Sequence, residues 1–484
     1  MLIIEVACRL SAVAKSGKDT AQQLHGRLTS APRLRVPRDG RGSPWKLRLL
    51  FAILLISLVC LFALPGCASL DVGESNAALS ASKVGVHRQS MANLPIMIRT
   101  LDADRRFSQL PSTMVAQRLH ALRAGEPVNI LALSCGAGAG AFGAGAVAGL
   151  TSSGSRPDFT VVTGVSAGAL IAPYAFLGPS WDARLLAAFA NGPGEGFLQP
   201  RGLGAIFGSS MYSGAPLKQL VDAYVSDEMI RAVAREADRG RLLLVATTNL
   251  ATGEPVLWDL GAIAKNGGPD ARTLFRDVLL ASASIPGLFP PVMIRVREDR
   301  AAHDEAHVDG AATMPFFVPP AFEQTTPGAL AGTQVAGTQA GTAPGTARTA
   351  APTSVYVIID GPLDETVQAT RLTAHAIFSR SVDVGLNHML LTTLELAAAT
   401  AQLQGATLQY SAIPAAYPLP DGFDFNPQTM RPLLHYAYEC AQAGRFWTAF
   451  RRADDDRDTA AGGEETHKVP CPADDAFVRF FASR

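Results

Sequence analysis

The chain has 484 residues, 48% of them hydrophobic and 17% charged, enough for one large domain or two ordinary ones. Lys plus Arg and Asp plus Glu balance at 42 each, but ten of the basic and three of the acidic residues lie in residues 1–66. The remainder holds 32 basic against 39 acidic residues, a net of −7, and that balance gives nucleic-acid binding no support.

Residues 1–44 are rich in Arg and Pro and lie upstream of what reads as a complete export signal. No fold is assigned to them, and a translation start downstream of Met1 is expected. Leu49 to Leu64 is an apolar run of sixteen residues preceded by Lys46 and Arg48. It is short for a membrane span and about the length of a signal-peptide core. It ends in Leu64-Pro65-Gly66-Cys67-Ala68-Ser69, which resembles a bacterial lipobox, although Pro65 is an unusual occupant of its position. The resemblance implies that Cys67 is lipidated and becomes the mature N-terminus. With Ala68 rather than Asp after the cysteine, it implies an outer-membrane lipoprotein of the cell envelope, facing the periplasm and held to the membrane by its lipid. The competing reading is a membrane anchor that stays uncleaved.

Residues 67–124 read as a polar tether, to about Pro111, followed by a helix from Met114 to Ala124. Val128 to Ser134 is a buried-strand run, followed by a glycine- and alanine-rich turn and a helix to Leu150. Phe159 to Gly164 is a second strand, and Ala169 onwards a second helix. Strand–helix–strand–helix order predicts a mostly parallel sheet covered on both faces, a three-layer α/β/α domain over 125–365. Gly192 to Pro216 reads as a mobile loop near the site, Leu217 to Arg239 as one or two helices, and Leu242 to Thr248 as a strand. Val256 to Leu260 fits another strand, and Arg272 to Ala283 a helix. Residues 321–353 are low-complexity Ala-Gly-Thr repeats that cannot bury a core and are expected to form a disordered insertion. Val355 to Asp360 resumes as a strand. A helical C-terminal extension, 366–484, follows, with helices to Leu403 and over Met430 to Ala443, and a charged tail around Ala453 to Lys468.

Ser166 lies at the centre of Gly164-Val165-Ser166-Ala167-Gly168, between a strand and a helix. This is the nucleophile-elbow pattern, in which glycines permit a sharp turn and the helix N-terminus favours a developing alkoxide. Gly136, Gly138, Gly140, Gly143 and Gly145 form a glycine-rich turn after the first strand. Its backbone N–H groups can converge on an anion. Gly138 to Gly143 fits GxGxxG, a weak dinucleotide signature, but the acidic partner it needs is misplaced, since Asp158 precedes the next strand. An oxyanion hole accounts for more residues. Asp309, in Val308-Asp309-Gly310, could serve as the base for Ser166 or could be a turn aspartate bonding its own backbone. His375, His388 and His435 follow Asp309, the chain order of a Ser-His-Asp hydrolase, but each sits in a helical stretch. His303 and His307 are spaced four apart beside Asp304 and Glu305, which reads as a solvated loop rather than a metal site. No metal and no cofactor is expected. Of the six cysteines, Cys8 and Cys60 fall in the N-terminal segment. Cys135 reads as a small filler in its turn, and Cys440 and Cys471 could pair in an oxidising compartment.

The glycine turn Ser134 to Gly140, the elbow Gly164–Gly168 and the pair Asp309-Gly310 together resemble the patatin-like phospholipase family in order and spacing. Thr247-Thr248-Asn249-Leu250, Glu254 to Asp259, and Ala281 to Pro286 leading to Phe289-Pro290-Pro291 are similar to bacterial members. The resemblance covers about Val128 to Gly361, and more weakly the C-terminal part. It implies a Ser-Asp dyad without histidine: Ser166 as nucleophile, Asp309 as base, and the N–H groups of Gly136, Ala137 and Gly138 holding the oxyanion. The implied reaction is hydrolysis of acyl lipids or esters through an acyl-enzyme on Ser166. The turn departs from the family's usual Gly-Gly-Gly, any residue, Arg/Lys/Asn, Gly, because Cys135, Ala137 and Ala139 stand at three of its positions. Alanine at a positive φ costs about 1 kcal/mol more than glycine, and one lost oxyanion donor costs on the order of 10²–10³ in rate. The alternative is therefore a non-catalytic envelope lipoprotein that keeps the fold.

Overall fold

Short runs of aliphatic and β-branched residues, broken by Gly, Ser and Pro, set the strands. The structure, a computed structural model, describes residues 98–101, 107–110, 127–194, 196–202, 208–298, 301–319, 353–364, 370, 372–419, 424–450 and 469–474. The strands are β1 (Ile98–Leu101), β2 (Phe107–Leu110), β3 (Val128–Leu133), β4 (Val161–Gly164), β5 (Leu242–Asn249), β6 (Glu254–Asp259), β7 (Val292–Glu298), β8 (Ala301–Asp309), β9 (Thr353–Ile359), β10 (Thr407–Ala412) and β11 (Thr448–Ala449). The helices are α1 (Ala141–Ser152), α2 (Ala167–Leu177), α3 (Asp182–Asn191), α4 (Ala215–Tyr224), α5 (Asp227–Asp238), α6 (Leu260–Asn266), α7 (Gly268–Ser282), α8 (Ala374–Leu403) and α9 (Pro427–Gln442).

All the described strands join one sheet, in the order β11-β10-β9-β3-β4-β5-β6-β1-β2, with β8 joining β5 and β7 pairing with β8. The block from β10 to β5 is parallel, β6 and β8 pair antiparallel with β5, and β11 pairs antiparallel with β10. Side chains alternate across it with the period of two that a pleated strand imposes. Leu131, Leu133, Val162, Leu243 and Val245 face one core layer with α1, α2, α3 and α9. Ile130, Ala132, Val161, Leu242, Leu244 and Val357 face the other, where Leu390, Leu394 and Ala398 of α8 and the ring of Phe316 cover them. The molecule is thus the three-layer α/β/α arrangement expected for a mostly parallel sheet, with helices in the C-terminal part.

Helix α1 is built almost wholly of Ala and Gly, and all but its last two residues are buried. Its small residues let α9 approach to backbone contact. A Cβ on Gly145 would overlap the Leu434 carbonyl, and one on Gly149 the Tyr438 carbonyl.

Three expectations need correction. Residues 98–110 are not simply a tether, since they contribute β1 and β2, and β1 pairs parallel to β6. The part beyond residue 365 is not helical alone, because β10 and β11 extend the sheet from β9 and α9 packs on α1. His303 and His307 lie on β8 rather than in a solvated loop. Pairing with β5 and β7 drives the alternate residues Glu305 and His307 inward, to 8% and 0% exposure. Residues 1–44, the run Leu49–Leu64, Cys67, the helix read at Met114–Ala124, the repeats of 321–352 and the charged tail to Lys468 lie outside the described residues. No helix among the described residues is long and apolar enough to cross a membrane.

Candidate active site

The register of β5 explains how the chain assembles its site. Strand β4 pairs with Leu242 to Val245 of β5, and β8 pairs with Thr247 to Asn249. Both use the same edge of β5, and they run toward each other. Gly164 ends β4 opposite Val245, and Asp309 ends β8 opposite Thr247. Two strand ends therefore meet about 7 Å apart, at ~3.4 Å per residue of β5. Ser166 leaves one of them and Asp309 the other.

Ser166 is the N-cap of α2 and has φ 56°, ψ −119°, a left-handed backbone that a non-glycine residue adopts only under constraint. The constraint is visible on both sides. A Cβ on Gly164 would come within 2.5 Å of the Gly168 carbonyl oxygen, and one on Gly168 within 2.5 Å of the carbonyl oxygens of Leu133 and Ser134. Only glycines let α2 start against the end of β3. The amide of Ser166 donates to Ser282 Oγ at 3.0 Å, and that hydroxyl donates to the Ala246 carbonyl at 2.7 Å.

Ser166 Oγ donates to Asp309 Oδ2 at 2.5 Å, a short hydrogen bond between groups 4% and 2% exposed. Asp309 is held on every side. Its Oδ1 accepts the Ala311 amide at 2.9 Å, its amide donates to the Ser284 carbonyl at 2.9 Å, and its carbonyl accepts Thr248 Oγ1 at 3.0 Å. One oxygen of Asp309 thus closes the Asp-Gly turn and the other reaches the serine hydroxyl. Burial pushes its carboxyl up to about 7, against the lowering effect of the Ser166 and Ala311 hydrogen bonds.

The glycine turn leaves β3 next to this pair. Gly136 caps a short 3₁₀ turn, Ala137–Gly140, so the amides at its start have no partner within the turn. Ala137 is the residue at φ 48°, the strained position that glycine would occupy more cheaply. Ala137 lines the same cavity as Ser166, while Gly136 packs against Asp360 and Gly138 against the Asp424 carbonyl. Gly310 follows Asp309 and touches the Ala246 carbonyl. The cavity itself is apolar, walled by Leu170, Phe189, Phe197 and Phe289 among others. Gly192, Pro193 and Phe197 bring the segment after α3 over it.

Sequence reasoning missed Ser282 and Asp360. Asp360 directly follows β9, two residues past Ile358, which pairs with Leu133. Its Oδ1 accepts the Gly143 amide at 2.8 Å, and its amide donates to Ser134 Oγ at 2.9 Å. Its Oδ2 has no hydrogen-bond partner among the described residues, and burial raises its carboxyl well above the ordinary range. The signal was present, since Asp360-Gly361 after a strand repeats the Asp309-Gly310 pattern. Cys135 is a free, buried thiol that burial pushes up, with Asp309 and Asp360 adding to the effect, so no thiolate is available there.

His388 and His435 are exposed on α8 and α9, and neither is joined to Ser166 or Asp309. His375 lies in the first turn of α8, and its side chain lies outside the described residues. His307 shares Thr247 Oγ1 at 3.0 Å and Glu305 Oε2 at 2.9 Å. No cluster of three or more metal-ligating side chains occurs among the described residues. Cys440 and Cys471 form a disulfide between α9 and the tail.

No curated protein matches the chain. A crystal structure of VipD from Legionella pneumophila aligns over 78% of this chain and 74% of its own at 9% identity and a TM-score of 0.27, too low to carry an argument. Residues 131–322, from β3 through the elbow to beyond Asp309, match the patatin-like phospholipase family model, and the chain carries a domain of that family of lipid acyl hydrolases.

Proposed function

We propose that the protein hydrolyses acyl esters with a Ser166–Asp309 dyad, through an acyl-enzyme on Ser166. The observation that carries this reading is the 2.5 Å hydrogen bond from Ser166 Oγ to Asp309 Oδ2 at the edge of an apolar cavity. Ser166 Oγ attacks the ester carbonyl as its proton passes to Asp309 Oδ2. The oxyanion is held by amides of the turn at Gly136, Ala137 and Gly138. Collapse expels the alcohol, which takes the proton back from Asp309. Water then attacks the acyl-serine, again giving its proton to Asp309, and the fatty acid leaves as Ser166 regains a proton. A carboxyl raised to about 7 suits this exchange, because it is basic enough to accept a proton and acidic enough to return it near neutrality.

Fluorophosphonate treatment with mass-spectrometric mapping tests the assignment. Labelling at Ser166 that vanishes in Asp309→Asn supports the dyad. Folded protein that stays unlabelled in the presence of a lipid interface returns the weight to the non-catalytic reading.

The envelope location is part of the same proposal. The apolar run before Cys67 and the Cys440–Cys471 disulfide, a bond that persists in oxidising compartments, support it. Cys67→Ala should move the protein out of the membrane fraction; an unchanged distribution would count against the lipid anchor.

A further inference from the structure

We propose that Tyr174 is the end wall of the acyl cavity and that the site selects medium acyl chains, about eight to ten carbons long. The inference rests on the reading of Ser166 as nucleophile.

Helix α2, capped by Ser166, presents Ala167, Leu170 and Tyr174 to the cavity. Their spacing, three and four residues apart, puts them in one stripe along the helix. Across the cavity, α4 offers Leu217, Val221 and Tyr224, a second stripe of the same period. An acyl group bound to Ser166 would extend between the two stripes, down the length of α2.

The far end of this trough is closed by a hydrogen bond. Tyr174 Oη donates to the Tyr224 carbonyl at 3.0 Å, joining α2 to the end of α4. Tyr174 is 3% exposed, and its ring packs edge-on against Trp181, with centroids 6.4 Å apart. A ring fixed at both its edge and its hydroxyl is a wall rather than a gate. Eight residues of helix separate it from Ser166, about 12 Å at ~1.5 Å per residue. An extended chain advances ~1.3 Å per carbon, given C–C bonds of ~1.5 Å, so the trough holds about nine carbons. Leu170 stands near the midpoint and is partly exposed to the cavity space.

The experiment measures kcat/KM of the full chain on a series of p-nitrophenyl esters in mixed micelles, from about four to sixteen carbons. Wild-type protein should peak at about eight to ten carbons and fall about tenfold by fourteen. Tyr174→Ala should raise the ratio of fourteen- to eight-carbon activity about tenfold. Leu170→Trp, which fills the trough halfway, should lower the ratio of eight- to four-carbon activity by a similar factor. Tyr174→Phe, which keeps the ring but loses the bond to the Tyr224 carbonyl, should raise the fourteen- to eight-carbon ratio by less than Tyr174→Ala does. If Tyr174→Ala fails to fold by circular dichroism, the Leu170→Trp ratio decides. A wild-type preference for sixteen over eight carbons, or unchanged ratios in a folded variant, overturns the end-wall assignment while fluorophosphonate labelling of Ser166 keeps the dyad. Absence of both labelling and hydrolysis overturns the two together.

Discussion

Ser166 and Ala137 are the described non-glycine residues with positive φ, and both face the same cavity. Strain of this kind persists where surrounding structure holds it, and here it aims a hydroxyl and a turn of amides at one point. The two differ in what relieving the strain should do. Ala137→Gly keeps the amide and removes the Cβ, so it should raise the unfolding free energy by about 1 kcal/mol, read from the urea midpoint, with the Ser166 label retained. Asp309→Asn keeps the size and the Ala311 hydrogen bond but cannot take a proton. Its kcat should fall by on the order of 10²–10⁴, the usual contribution of a general base, with little change in KM. Asn at wild-type rate would show that Asp309 only closes its turn.

At the scale of elements, the site depends on close backbone approach. The α1–α9 contact is the plainest case, because Gly145 and Gly149 face carbonyls of α9 with no room for a methyl group. Helix α1 also begins at the glycine turn, and its Gly143 amide is tied to Asp360 at the end of β9. Moving α1 therefore moves the turn. Gly145→Val should destabilise the fold by about 3 kcal/mol or more, since backbone cannot yield as a flexible side chain does. In protein that remains folded, kcat should drop more than KM rises, which separates displacement of the turn from loss of substrate binding. Ester kinetics beside a urea titration would read both.

Across the whole molecule, the two buried carboxylates link activity to stability with opposite slopes. Asp309 is raised from 3.8 to about 7 by burial. Between those values the folded state holds a proton that the unfolded chain has released. By linkage, the stability this proton confers is complete below about 3.8 and is lost as pH rises through about 7. Asp360, raised in the same direction, contributes with the same sign. Activity needs the ionised base and should climb through pH about 7 with a slope of one proton. The active form is thus the less stable one. Thermal midpoints and kcat/KM measured from pH 5 to 8 should move in opposite directions. Asp309→Asn should flatten part of the stability slope and leave the part owed to Asp360. A stability that rises through pH 7 would show that burial does not hold Asp309 neutral.

What could be read from residues alone was local. Glycine on each side of Ser166, glycines after the first strand and an Asp-Gly pair specify backbone shapes that few other residues allow, so the elbow, the turn and the family resemblance were legible. Nearly continuous aliphatic and β-branched runs, the mark of strands covered on both faces, announced β3, β4, β5 and β9. What depended on tertiary structure was non-local. Nothing near Asp309 in the chain says that β8 would continue the line of β4 along one edge of β5, 143 residues after the serine. The charged stretch around His303 to His307 read as loop, because its inward residues are polar: Glu305 and His307 pair with each other, and His307 reaches Thr247 on β5, a partner that the local sequence does not show. Asp360, Ser282 and Tyr174 gained their positions in the same way, from strand register and helix packing. Sequence by itself determined which turns were possible; pairing across the sheet decided which side chains meet there, because hydrogen-bond register couples residues that the chain order leaves far apart.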